Sequence, residues 1–223
     1  MIDQLPSWVH AAFIAVVLLT IAMFHRAVKN RTILLTIAAV VVVQSVIGIS
    51  GVYNNFTSLP PRILLGMLPS IILILYAGFF MKQSTGNTNF KYLTQFHTIR
   101  IPVEIMLSIL FHYGIISRWQ TIEGSNFDII SGLTALPVAY FGYTKKSLST
   151  RFLIGWNVLC LLLLLNVVIT SSFAMPYPFQ LISHEQPNIA IAYFPFNLLP
   201  TVSVPLVILS HIMLIRNLAN REK

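Results

Sequence analysis

The sequence predicts an all-α membrane protein, a single domain over 1–223 in which a polytopic bundle of about seven transmembrane helices carries the N-terminus outside and the C-terminus in the cytoplasm. Three observations lead there: composition, the spacing of apolar runs, and the sidedness of charge. Of the 223 residues, 56% are hydrophobic and 9% charged, against roughly 25% charged in ordinary soluble domains. Mean hydropathy is +0.79. A soluble globule of this length needs more polar surface than the chain can supply, so lipid must cover much of its exterior.

A hydrocarbon core about 30 Å thick is crossed by roughly 20 helical residues. Seven apolar runs meet or approach that length: Trp8–Phe24, Ile33–Val52, Ile63–Met81, Pro102–Ser117, Phe127–Tyr143, Phe152–Phe173 and Phe194–Ile215. The first follows MIDQLPSWVH, which holds Asp3 and no Lys or Arg. That is a poor signal-peptide n-region, so the run reads as a retained helix. The fourth and fifth runs are the shortest and contain Glu104, His112 and Asp128, with Trp119–Asn126 between them. Five spans with a re-entrant hairpin at this place is the structural alternative. The seventh run holds Pro200 and Pro205, which should bend it near its middle and free carbonyls there, as in the broken helices that line transporter cavities. Barrel strands would alternate apolar and polar residues. These runs are apolar on every face, and only a helix satisfies such a backbone in lipid.

Basic residues set the orientation. Arg26, Lys29, Arg31, Lys82, Lys91, Arg100, Lys145, Lys146, Arg151, Arg216, Arg221 and Lys223 fall on one side, leaving Arg62 and Arg118 on the other. The side with 12 of the 14 is the cytoplasmic one by the positive-inside rule. The same split accounts for the net charge of +8 without nucleic acid. Two loops exceed a bare connection. KQSTGNTN, from Lys82, reads as a flexible turn, and FKYLTQFHTI after it as a short interfacial helix. Ala174–Tyr193 is apolar, contains Pro176, Pro178 and Pro187, and is expected to fold back over the bundle mouth. Long loops of this kind are more often functional.

Soluble-enzyme motifs are absent: no GxGxxG, P-loop, HExxH, GxSxG or CxxC occurs. Cys160 is the single cysteine, so no intrachain disulfide or Cys-based metal site forms. The sequons at Asn30 and Asn55 fall on opposite sides of the predicted membrane and reflect chance. The seventh run has no lysine, which sets covalent retinal aside. A DRY-like triplet and NPxxY are missing as well.

The remaining chemistry lies in a few ionisable residues. Glu104 is the acid within a span, about one turn from the cytoplasmic end of the fourth run, and intramembrane carboxylates are functional by default. His97, Arg100 and Glu104 stand at i, i+3 and i+7, one face of a continuous helix. His211, at similar depth in the seventh run, could join them in a proton-relay or ligand-anchoring stripe. The structural alternative makes Pro102 a first helical position, with Glu104 favoured by the helix dipole and Arg100 snorkelling. On the outer side, His10, His112, Glu123, Asp128, His184 and Glu185 offer nitrogen and oxygen ligands that suit zinc or another divalent metal. Their spacing is not diagnostic. Ser125-Asn-Phe-Asp128 also fits a capping box opening the fifth helix, and His112 is expected to bond a neighbouring helix. Gln44, Asn157, Asn166 and Asn197 read as interhelical hydrogen-bond glue.

These features favour binding or transport of a small molecule, ion or proton in a bundle cavity reaching Glu104. The alternatives are a membrane-embedded metal-dependent hydrolase or redox enzyme using the outer histidines, and a non-catalytic subunit whose small residues (Gly48 and Gly51, or Ala38 and Ala39) pack against partners. The bilayer is the implied partner, with other membrane subunits or self-association besides. The sequence names no cofactor. The charge bias suits a bacterial inner membrane.

Overall fold

The structure is a computed structural model and describes residues 2, 5–80 and 88–220. Expectations for Asp3, Met81, most of the KQSTGNTN turn, Arg221 and Lys223 lie outside these. Helix is the only regular structure among the described residues, which hold no strands. Seven rods follow in order: α1 (Ser7–Val28), α2 (Arg31–Ile49), α3 (Arg62–Phe80), α4 (90–112), α5 (Ile129–Thr144), α6 (Thr150–Phe173) and α7 (Leu199–Asn220). Helices α1, α2, α6 and α7 are long and apolar enough to cross a membrane, and α5 and the Arg62–Ala77 part of α3 are shorter apolar helices.

Each long helix buries a narrow stripe and exposes an apolar back. In α1 the buried stripe is Val9, Phe13, Val17, Thr20, Phe24 and Ala27. In α2 it is Ile33, Ile37, Val40, Gln44 and Gly48, at spacings of three and four. The opposite face of α2 presents Leu35, Val42, Val43 and Val46 outward. A surface helix in water would be polar there, so the medium these side chains meet is hydrocarbon. Helix α7 differs: 61% of its apolar window is buried, against 28% for α1, α2 and α6. It packs between α3 and α6 and forms the bundle's centre.

Asn30 caps α2, accepting from the N–H groups of Thr32 and Ile33, and Ser149 caps α6 through Phe152 N–H. Asn89 likewise accepts from Tyr92 N–H and opens α4 at Phe90. This corrects two boundaries. FKYLTQFHTI is not a separate interfacial helix, and the fourth helix does not begin at Pro102. Phe96–Ile99 tightens into a 3₁₀ turn, and Arg100–His112 continues the rod. Pro102 lacks an N–H and its ring crowds the carbonyl four residues back. The tight turn there takes up that mismatch. Glu104 therefore stands deep in a continuous rod, not in a first turn.

The seventh helix is corrected too. It starts at Leu199, so Pro200 and Pro205 occupy its opening turns, with a π-helical Leu199–Ser203, and not its middle. In α3, Gly66 O accepts from Gln44 Nε2 at 3.1 Å and from Ser70 Oγ at 3.0 Å. Asn197 Nδ2 donates to Gln44 O at 2.8 Å, tying the entry to α7 onto α2. The segment after α6 folds back over the bundle end. Ala174, Met175, Tyr177, Ala190 and Ala192 are buried, and Ile115 O accepts from Ile189 and Ala190 N–H.

Candidate functional site

Helix α4 places His97, Arg100 and Glu104 on its inner face, 0%, 4% and 2% exposed. Helix α5 approaches this face through Gly132: a Cβ there would stand 2.9 Å from Ile101 Cγ1 and 3.4 Å from Arg100 Cβ. The close approach brings Asp128, at the mouth of α5, onto Arg100. One guanidinium nitrogen, Nη1, pairs with Asp128 Oδ1 and donates to Cys160 O on α6 at 3.3 Å. The other, Nη2, donates to His211 Nε2 on α7 at 2.8 Å. Four helices thus converge on a single cation.

The hydrogen bonds assign the imidazole tautomers. His211 accepts from Arg100 at Nε2, so its proton sits on Nδ1 and is donated to Asn157 Oδ1 at 2.9 Å. Asn157 in turn donates Nδ2–H to Leu153 O, which fixes its orientation. Ser210 gives its hydroxyl proton to Val207 O, leaving its oxygen to accept from His97 Nε2 at 3.3 Å. His97 Nδ1 is then a bare acceptor, buried without a partner. The two rings stack, with centroids 3.9 Å apart and planes 15° from parallel. Trp156 closes the side, edge-on to His97 at 5.8 Å. The result is a buried cluster of His97, His211, Arg100 and Asp128, joined by one ring stack, one hydrogen bond and one ion pair.

Glu104 forms a second node one turn along α4. Asn126 Nδ2 donates to Glu104 Oε2 and to Gln120 O. Glu104 Oε1 is buried without a hydrogen bond of good geometry, with the Ile122 backbone N–H beside the carboxylate, and Gln120 Nε2 and Ser125 Oγ are buried without partners. The capping box at Ser125 does not form. Asp128 N–H bonds Asn126 Oδ1 at 3.0 Å, while the Asp128 carboxylate goes to Arg100. A cation in a dry interior outbids a neutral backbone N–H for that carboxylate. A capping box does form at Ser117 and Gln120, closing a single 3₁₀ turn.

Glu104 lines a cavity of about 490 Å³ with Trp8, Ile105, Ser108, His112 and Ile122 among its walls. No family model, curated protein or solved structure matches this chain. The site's chemistry therefore rests on its own geometry.

The predicted outer group is dispersed. His10 sits against Phe196, with ring centroids 5.3 Å apart. His112 is exposed, not bonded across to a neighbouring helix as predicted, and pairs at Nδ1 with Ser108 O of its own helix at 2.7 Å. His184, Glu185 and Glu123 are exposed in loops. Among the described residues no three His, Cys, Asp or Glu side chains gather into a possible metal centre. Asp128, read from sequence with this group, instead joins Arg100. Sequence reasoning missed Asn126, Ser210 and the carbonyl of Cys160 as members of the site. Asn126 sat inside the Ser125-Asn-Phe-Asp128 pattern and was passed over for its neighbours. Nothing in the sequence marks a particular carbonyl.

Proposed function

We propose that this membrane protein binds a small molecule or an ion, protons included, at Glu104 and passes it through the bundle. The observation that carries the reading is the juxtaposition at α4. A cavity of about 490 Å³ is lined by Glu104, a buried carboxylate. One turn away begins a buried cluster of two histidines and an ion pair. Ionisable groups are expensive inside a bilayer and mark ion, proton or substrate paths. Histidine is a common proton shuttle, and two of them stand in this cluster. The location we propose is a bacterial inner membrane with the C-terminus in the cytoplasm. With Arg100 set aside because it is buried in the bundle, the 11-to-2 distribution of the remaining basic residues supports that orientation.

The test uses the full chain in liposomes carrying a trapped pH dye, with an imposed potassium diffusion potential. The wild type is expected to change internal pH faster than protein-free liposomes, and Glu104→Gln to return the rate towards that background. Equal rates for wild type and Glu104→Gln in this assay, in small-molecule uptake and in binding would sink the reading.

A further inference from the structure

The cavity beside Glu104 is one-sided in its chemistry. Its walls are mostly apolar, from Trp8, Ile105, Ile109, Ile122 and Ile129, and no Lys or Arg lines it. Trp8 is 54% exposed and Ile105 55%. On a bundle with an apolar exterior, those residues form a mouth that opens sideways into the bilayer. Its polar lining is Glu104, Ser108, His112 and Tyr113, with Glu104 the one charged group among them. Glu104 Oε1 is buried without a hydrogen bond of good geometry, Oε2 is held by Asn126, and the Ile122 backbone N–H lies beside the carboxylate. Arg100, the cation one turn back on α4, is committed to Asp128, Cys160 O and His211.

We propose that this cavity binds a lipophilic amine, its ammonium on Glu104 and its hydrocarbon chain directed to the mouth. The inference rests on the reading of Glu104 as an intramembrane binding residue and names the class of ligand it takes. An ammonium brings donors and a positive charge, which complements a carboxylate in a cavity that no Lys or Arg lines. Its charge offsets the desolvation cost that burial puts on that carboxylate. A fatty acid would place a second anion against Glu104 with no cation to receive it. An alkanol can donate to the carboxylate but brings no charge. The volume falls within the range of about 300–1,000 Å³ usual for small-molecule pockets. Entry from the bilayer needs no aqueous path, because the mouth is bounded by apolar side chains.

The experiment is equilibrium binding of radiolabelled decylamine, decanol and decanoate to the full chain in nanodiscs, with empty nanodiscs subtracted. Decylamine is expected to bind saturably and about tenfold more tightly than decanol, a difference of about 1.4 kcal/mol. Decanoate is expected to bind no better than background. In Glu104→Gln, decylamine should fall to the decanol level while decanol is unchanged. Wild-type protein that binds decanol as tightly as decylamine overturns the proposal without any variant. An amine preference that survives Glu104→Gln overturns it as well. Proton flux that depends on Glu104, found without amine preference, overturns the ligand class and leaves the proposed function standing. Amine preference with flux indifferent to Glu104 supports the amine site and removes transport.

Discussion

Arg100 shows how a charge can be kept inside an apolar bundle. It is 4% exposed, and its nitrogens Nη1 and Nη2 spread over a carboxylate, a carbonyl and an imidazole on three other segments. Breaking a buried pair by removing one partner costs about 3–5 kcal/mol, because it strands the other charge. Asp128→Asn should therefore lower unfolding stability in detergent by about that amount. Replacing both partners together, as Arg100→Met with Asp128→Leu, should recover much of the loss if the pair is structural. Loss of proton flux in a double variant that stays folded would show the pair to be functional as well. His211→Leu strands Arg100 Nη2 and Asn157 Oδ1 together, at about 1–3 kcal/mol for each buried unsatisfied group, and chemical unfolding reads that too. The His97, Arg100 and Glu104 face was legible because i, i+3 and i+7 align on any helix. Asp128 was assigned to the other end of the molecule, since a linear chain does not reveal how far one helix mouth reaches beside its neighbour.

At the level of elements, α4 and α5 decide the site. Sequence patterning placed the fourth span at Pro102–Ser117, treating the proline as a start. The Asn89 cap and the 3₁₀ turn at Phe96–Ile99 move the start to Phe90, and so move Glu104 from an end to the interior. A proline can be a boundary or be absorbed within a rod. Which occurs depends on whether neighbouring turns can tighten, a property of packing and not of local propensity. Gly132 is the corresponding point on α5. Gly132→Val places atoms against Ile101 and Arg100 Cβ, and overpacking of this kind costs about 1–3 kcal/mol. Because the clash pushes α5 away from α4, it should weaken the Arg100–Asp128 pair as well. A double-mutant cycle of Gly132→Val with Asp128→Asn is expected to be non-additive by about 0.5–3 kcal/mol. Strict additivity would mean that helix approach and ion pair are independent.

Over the whole molecule, the outward faces of α1, α2 and α6 carry Leu18, Leu19, Val42, Val43, Leu159 and Leu162. No aqueous surface of this extent stays monodisperse. The protein is expected to remain in the membrane pellet through an alkaline carbonate wash, and release into the supernatant would contradict the bundle's lipid exterior. Reporter fusions after Lys146 and at the C-terminus should both read cytoplasm, with a fusion inside 174–193 reading the opposite side. The reverse pattern would overturn the orientation drawn from the basic residues. Gly48 was read as a surface for another subunit. A Cβ there meets Asn197 at 2.7 Å, so the chain itself fills that groove, while Ala38 and Ala39 stay exposed. By itself the sequence determined the helical class, the apolar exterior and the rough extent of the long spans, because hydrocarbon imposes one backbone solution on a long apolar run. Tertiary structure alone decided that Asp128 and Arg100 meet, that the two histidines stack, and that Glu104 lines a cavity. Those facts depend on the depth and close approach of neighbouring helices, which residue order along one strand of chain does not encode locally.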